Sequence, residues 1–300
     1  MMADAAPRTF RQPPTRLHWR QSRRVRGTLA DVASYLILAV GSVVFLFPLF
    51  WQITTSLKTT PDTLRYPPVW FPWPPQWQNY LLLADRFPFL LFLRNSVFIT
   101  SMVIIGTLIS NSLAAYGFAR LRMPGRDALF VLLLSTLMLP SIVTLIPQFL
   151  VYHRLHWVNT FYPLIVPAFF GSPLYIFLLR QFFLTIPLEL EDAARMDGAS
   201  YLRTYAQIIL PLAKPALLTV TIFTFISVWN DFFGPLIYLS DTEKYTVAVA
   251  LRYLQGSVRT RPEHNLLMAG ATVSIIPCLV VFLVAQRYFM QGVVVTGVKG

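Results

Sequence analysis

The sequence is poor in charge and nearly devoid of cysteine, and each scarcity excludes a class of protein. Only 13% of its 300 residues are charged, about half the share of roughly 25% found in soluble globular domains. That composition excludes an ordinary soluble enzyme. The single cysteine, Cys278, lies inside an apolar run, so no disulfide can form within the chain and cysteine usage says nothing of its compartment. The motifs of catalysis are missing as well: no Gly-x-x-x-x-Gly-Lys-Ser/Thr loop, no His-Glu-x-x-His, no paired-cysteine pattern and no Gly-x-Ser-x-Gly elbow. His153, His156 and His264 have no ligand spacing and read as interfacial residues. The chain is expected to catalyse nothing and to bind no metal or cofactor itself.

What the sequence has in excess is apolar length. Hydrophobic residues make up 55% of the chain and the mean hydropathy is +0.56. Crossing the hydrocarbon core of a bilayer takes about 20 mostly apolar residues. Stretches of that kind occupy about 29–57, 95–119, 128–153, 157–180, 215–239 and 266–287. The fifth is interrupted by Asp231 but is otherwise too long and too apolar for a surface helix. The expected fold is an all-α membrane protein, with a six-helix transmembrane domain over 29–300 preceded by a basic, disordered tail over 1–28. The tail is too long, and the apolar run after it too extended, for a cleaved signal peptide.

The net charge of +12 is an orientation signal, because the basic residues sit in short segments between apolar runs. The loops on the side of the N-terminus carry 16 of the Lys and Arg residues and the opposite loops carry 9. Both termini are therefore expected in the cytoplasm, the basic tail near anionic lipid headgroups, and nucleic acid is not expected as a partner. The opposite segment, 58–94, is rich in Pro and Trp, which suits an interfacial aromatic belt or a docking surface.

The loop from Ile186 to Pro211 has the pattern of two short helices. Pro187 suits a first helical position, and Glu189, Glu191 and Asp192 load the first turn where the helix dipole favours anions. Asp197 precedes Gly198, which suits a C-terminal cap, and Ser200 can cap a second helix whose Tyr201, Tyr205 and Ile208 recur at helical spacing until Pro211 stops it. In order, Asp192-Ala193-Ala194, three residues, Gly198, nine residues, Ile208, one residue and Leu210-Pro211 resemble the coupling-loop signature of ABC importer permeases. The one departure is Asp192, where that family most often has Glu.

The resemblance extends over nearly the whole chain after the tail and looks closest to the carbohydrate branch, the maltose-type second permease subunit. Ser56-Leu57-Lys58, Asn95-Ser96, the run from Ala115 to Arg120, Trp229-Asn230-Asp231 and the terminal Gly297-Val298-Lys299-Gly300 carry it. It implies a permease of a bacterial-type inner membrane that imports a sugar or another small solute such as glycerol phosphate. It implies as partners a second permease, two ATPase subunits that hold ATP and Mg, and an extracytoplasmic solute-binding protein. Glu189, Glu191, Asp192, Ala193, Ala194, Asp197, Gly198, Ala199, Ile208, Leu210 and Pro211 would then form the loop that docks on the ATPase. Lys299 and Gly300 would approach the same partner.

Acids within membrane spans are costly and face protein or water. Trp229, Asn230 and Asp231 are therefore candidates to line a translocation path, or else Asn230 and Asp231 join helices and cap the break at Gly234-Pro235. Prolines 140, 147, 163, 167 and 173 either shape a gated cavity or bend their helices. An ion-coupled secondary transporter, the rival reading, would need a proton or ion relay built on Asp231 alone.

Overall fold

In lipid, each spanning segment must satisfy its own backbone groups, and a helix does so locally. A computed structural model describes residues 17–255 and 263–296, and side chains from 31 to 286 except those of 141 and 256–262. Among the described residues the regular structure is entirely helical. The chain divides into two units, residues 1–52 and 53–300.

The first unit consists of helix α1, Leu17–Ser56, which runs on past its boundary. Its segment Asp31–Ser56 contains an 18-residue window of mean hydropathy 2.3 and has Pro48 within it. The helix takes in residues 17–28, which the composition of the sequence assigns to a disordered tail; residues 1–16 lie outside the described residues. No proline separates Leu17 from the apolar run, so nothing forces the helix to start later.

The second unit is organised around α3, Phe89–Arg120, which follows a short α2, Gln78–Arg86. Its N-terminal half buries Phe89, Phe92, Ile99 and Val103, and its C-terminal half Ala115, Tyr116 and Ala119. Two apolar clusters result. One gathers Tyr116, Leu179, Phe183, Ile209 and Val220, the other Phe92, Leu239, Val249 and Leu266.

Three of the expected spans are not single rods. The third divides into α4, Arg126–Ser135, and α5, Ser141–Arg154, at an angle of 100°. Pro140 lacks an amide proton and disfavours helical dihedrals at Leu139, which is extended at φ −81°, ψ 115°. The fourth comprises α6, Tyr162–Ile165, a 3-10 segment Val166–Phe170, and α7, Pro173–Leu184, broken at Gly171, whose φ of +88° suits glycine. Asn111 of α3 repairs the break: its Oδ1 accepts the Ser172 amide at 2.6 Å, while Ser110 Oγ donates to Ala168 O at 2.9 Å. The fifth comprises α10, Lys214–Trp229, and α11, Phe233–Tyr238. After α12, Val247–Leu254, the long α13, His264–Thr296, forms the sixth. Four described helical segments are long and apolar enough to cross a membrane, rising to six if each of two bent pairs is one span.

At the end of the unit away from the 186–211 loop, a polar knot fastens α2. Asn79 Nδ2 donates to Ser56 O at 2.7 Å and Lys58 O at 2.9 Å, and Asn79 Oδ1 accepts from Asn265 of α13 at 3.1 Å. Lys58 is buried here, and that burial pushes its ammonium pKa down, with Asp62 acting against the shift. The Pro- and Trp-rich stretch beside the knot exposes Tyr66, Phe71 and Trp73.

Candidate functional site

The 186–211 loop folds as a helix-turn-helix. Pro187 caps α8, Leu188–Met196, so the helix begins one residue later than expected, and Glu189 and Glu191 stand in its first turn. Its end has the bonds of a Schellman motif: Gly198 N–H donates to Arg195 O at 3.0 Å and Ala199 N–H to Ala194 O at 2.9 Å. Gly198 sits at φ +82°. The Ser200 hydroxyl accepts from the Arg203 amide at 3.3 Å, opening α9, Tyr201–Thr204. The second arm does not stop at Pro211. It continues as a π turn, Tyr205–Ile209, then through Leu210–Leu212, and meets α10 at 77°. Pro211 has no N–H to give to an i−4 carbonyl, and the wider π register directly ahead of it accommodates that loss.

Both arms are fastened to one face of α3. Ser112, Tyr116 and Arg120 lie four residues apart and so share that face. Arg120 Nε stands 2.7 Å from Glu191 Oε1, an ion contact rather than an aligned hydrogen bond, with side chains only 3% and 1% exposed. The same guanidinium donates to Phe183 O at 2.7 Å and Ile186 O at 2.5 Å, the carbonyls leading into the loop. Tyr116 Oη reaches Glu191 Oε2 at 3.5 Å, and Arg195 lies 3.8 Å from that oxygen at the exposed edge.

In the second arm, Tyr205 Oη is 2.7 Å from Ser112 Oγ, and its ring packs on Tyr116 at 5.3 Å between centroids. Because the Ser112 hydroxyl donates to Leu108 O, the tyrosine is the donor between the two hydroxyls.

The loop's acids therefore divide. Glu191 faces inward and is neutralised within the chain, whereas Glu189, Asp192 and Asp197 are exposed beside Leu188, Leu190, Met196 and Leu202. Ala193 is also exposed, Ala194 and Ala199 are half-buried, and a Cβ on Gly198 would meet nothing within 4 Å. Ile208 and Leu210 are half-buried, and Pro211 is exposed. Sequence reasoning missed Ser112, Tyr116 and Arg120 as partners of the loop. The signal that could have found them is the four-residue spacing of Ser112, Tyr116 and Arg120, which sets three polar side chains on one helix face.

The three candidate path residues do not converge. Trp229 is buried, its Nε1 donating to Ser274 O at 3.2 Å, and the exposed Asn230 returns its amide to Ile226 O at 2.8 Å. Asp231 Oδ1 accepts the Gly234 amide at 3.1 Å, across the break ahead of α11. Asp231 also lines a cavity of about 50 Å³ with Ser96, Thr100, Pro235 and Thr246. Beside α11, Asn159 Nδ2 donates to Asp241 Oδ2 at 2.7 Å and Lys244 Nζ to the same oxygen at 2.8 Å; the Lys244 bond first, then that from Asn159, holds the Asp241 pKa down. Among the described residues no group of His, Cys, Asp and Glu could hold a metal ion. Lys299 and Gly300 lie outside the described residues.

Long apolar helices, breaks sealed by neighbouring side chains, and an exposed helix-turn-helix clamped to one end together define a multi-span membrane protein of transporter type. Residues 106–295 match the family described as the binding-protein-dependent transport system inner membrane component, and the chain belongs to that family. It is 32% identical to the trehalose/maltose transport system permease protein MalG of Thermococcus litoralis, over 90% of this chain and 99% of that one. It is likewise 32% identical to the sn-glycerol-3-phosphate transport system permease protein UgpE of Yersinia enterocolitica, over 88% and 96%. Among solved structures, a bacterial ABC transporter that imports the acidic polysaccharide alginate contains a chain with a TM-score of 0.78 and 25% identity, covering 89% of this chain and 98% of that one.

Proposed function

We propose that this chain is a membrane-spanning permease subunit of an ATP-driven, binding-protein-dependent importer whose cargo is a sugar or oligosaccharide. The observation that carries the proposal is the helix-turn-helix. It presents Leu188, Leu190, Met196 and Leu202, with Glu189, Asp192 and Asp197, on an outer face that nothing else in the described chain uses. Exposed apolar side chains rimmed by charge mark a surface made for a protein partner. Relatives named for trehalose/maltose and arabinooligosaccharide transport support the sugar cargo, and relatives named for glycerol phosphate keep that solute as the alternative.

In this reading ATP and Mg bind to two separate ATPase subunits, and a second permease completes the pathway. A solute-binding protein delivers cargo from outside; support for that step comes from a bacterial alginate ABC transporter of similar fold, solved in complex with a periplasmic protein bound to an alginate pentasaccharide. Both termini lie in the cytoplasm, the side that the 16 to 9 asymmetry of Lys and Arg favours. ATP-driven closure of the ATPases, received through the loop, shifts the helices between inward- and outward-open arrangements that the loaded binding protein also biases.

The test is gentle purification of the tagged protein from its native membrane, with the accompanying proteins identified by mass spectrometry. An ATPase and a second permease are expected, and both should be lost with Gly198→Arg. A folded protein recovered alone would overturn the reading in favour of an ion-coupled transporter.

A further inference from the structure

The structure points to Arg120 and Glu191, seconded by Ser112 and Tyr205, as the positioning residues that make the loop and α3 one mechanical body; the inference rests on the permease reading above. A loop that merely docks on a partner needs an outer face, yet here the inner face is built with equal care. One acid of α8 is removed from that outer face, buried to 1% exposure and set against a guanidinium that is itself 3% exposed.

Burying such a pair gains little net stability over an apolar pair of the same volume, so stability is a weak reason for its presence. What the pair does supply is a fixed distance. Arg120 donates to two carbonyls ahead of α8 while touching Glu191 within it, which leaves α8 no freedom to slide or roll against α3. Tyr205 holds the second arm to the same stripe through Ser112 and Tyr116. Both arms are tied, so a push on the loop's outer face cannot be absorbed by bending at Gly198.

The tie fixes where the motion goes. α3 packs along α7 and α10, and through Ser110 and Asn111 it also holds the break between α6 and α7. A displacement received at Leu190 or Met196 is delivered to α3 at Arg120 and carried to the broken fourth span. Without the tie, the ATPase would still find its docking face but would move only the loop.

The test uses the assembled transporter in proteoliposomes, reading solute imported per ATP hydrolysed and, separately, the ATPase recovered with the permease. Glu191→Gln keeps the size of the side chain and removes its charge, while Tyr205→Phe removes one hydroxyl from the other arm. Both variants are expected to retain the ATPase and to import less solute per ATP, by roughly 2- to 30-fold, the range that substitutions along a coupling route produce. Arg120→Lys, which keeps the charge without the planar fork, should be impaired like Glu191→Gln.

Wild-type transport per ATP in Glu191→Gln would overturn the inference. So would loss of the ATPase from both Glu191→Gln and Tyr205→Phe, since the contacts would then serve docking. Failure of the wild-type chain itself to recover any ATPase would instead refute the permease reading, a result visible before any variant is made.

Discussion

Gly198 offers a perturbation whose magnitude follows from backbone geometry alone. At φ +82° it occupies the left-handed region, and no atom beyond its own chain neighbours lies within 4 Å of where a Cβ would stand. Gly198→Ala therefore adds strain without a clash. The left-handed conformation costs an L-residue about 1–2 kcal/mol, and each 1.4 kcal/mol is about tenfold in an equilibrium. The Schellman motif of α8 should thus open roughly 5- to 30-fold more often in the alanine variant. Asparagine tolerates this region better, so Gly198→Asn should fall between glycine and alanine. The assay is hydrogen exchange by mass spectrometry over residues 194–200, because the Gly198 and Ala199 amides close the motif and exchange only when it opens. The expected order of protection is Gly, Asn, Ala. Equal protection in glycine and alanine variants would refute the reasoning, because the strain would then have been relieved by a backbone change that the bonds of this motif forbid.

Asn79→Leu should destabilise the second unit by about 1–3 kcal/mol for each buried group left unpaired, with Ser56 O, Lys58 O and the Asn265 amide all losing their partner; thermal unfolding in detergent reads it. At Gly106 a Cβ would come 2.6 Å from the Phe169 ring. Gly106→Ala should cost about 1–3 kcal/mol by overpacking, and Phe169→Leu added to it should restore part of the melting temperature. Asp241 has a lowered pKa, so its support of the turn over 239–245 is present above the ordinary carboxylate range and lost as pH falls through the lower folded value. Pepsin cleavage of that turn should accelerate on acidification in that window, and Asp241→Asn should remove the pH dependence.

The apolar runs revealed the helical class, because a chain in lipid has little choice but to bury its amides in helices. The breaks were harder to place. Prolines 140, 163, 167 and 173 announced bends, but where the chain would turn depended on Asn111 reaching Ser172 from a helix 61 residues away. The two arms of the loop were legible from Ser200, Gly198 and the acids of the first turn, since caps are local chemistry. The inward turn of Glu191 was not, because Glu189, Glu191 and Asp192 look alike until Arg120 selects one. Residues 17–28 read as tail because they lack an apolar period, yet they continue α1. The reading of the second arm as ending at Pro211 took a proline to be a stop, where the fold uses a π turn to pass through it.

Asn111 performs for the fourth span what a backbone carbonyl does elsewhere: it supplies the acceptor that Gly171 takes away from the helix. Part of the secondary structure of one segment is thus encoded in the side chain of another. Among descendants of this sequence, position 111 and the pair 171–172 should therefore change together. A return to a continuous helix at Gly171 would release residue 111 to become apolar, while loss of the asparagine alone would leave an amide with no acceptor in a medium that offers none.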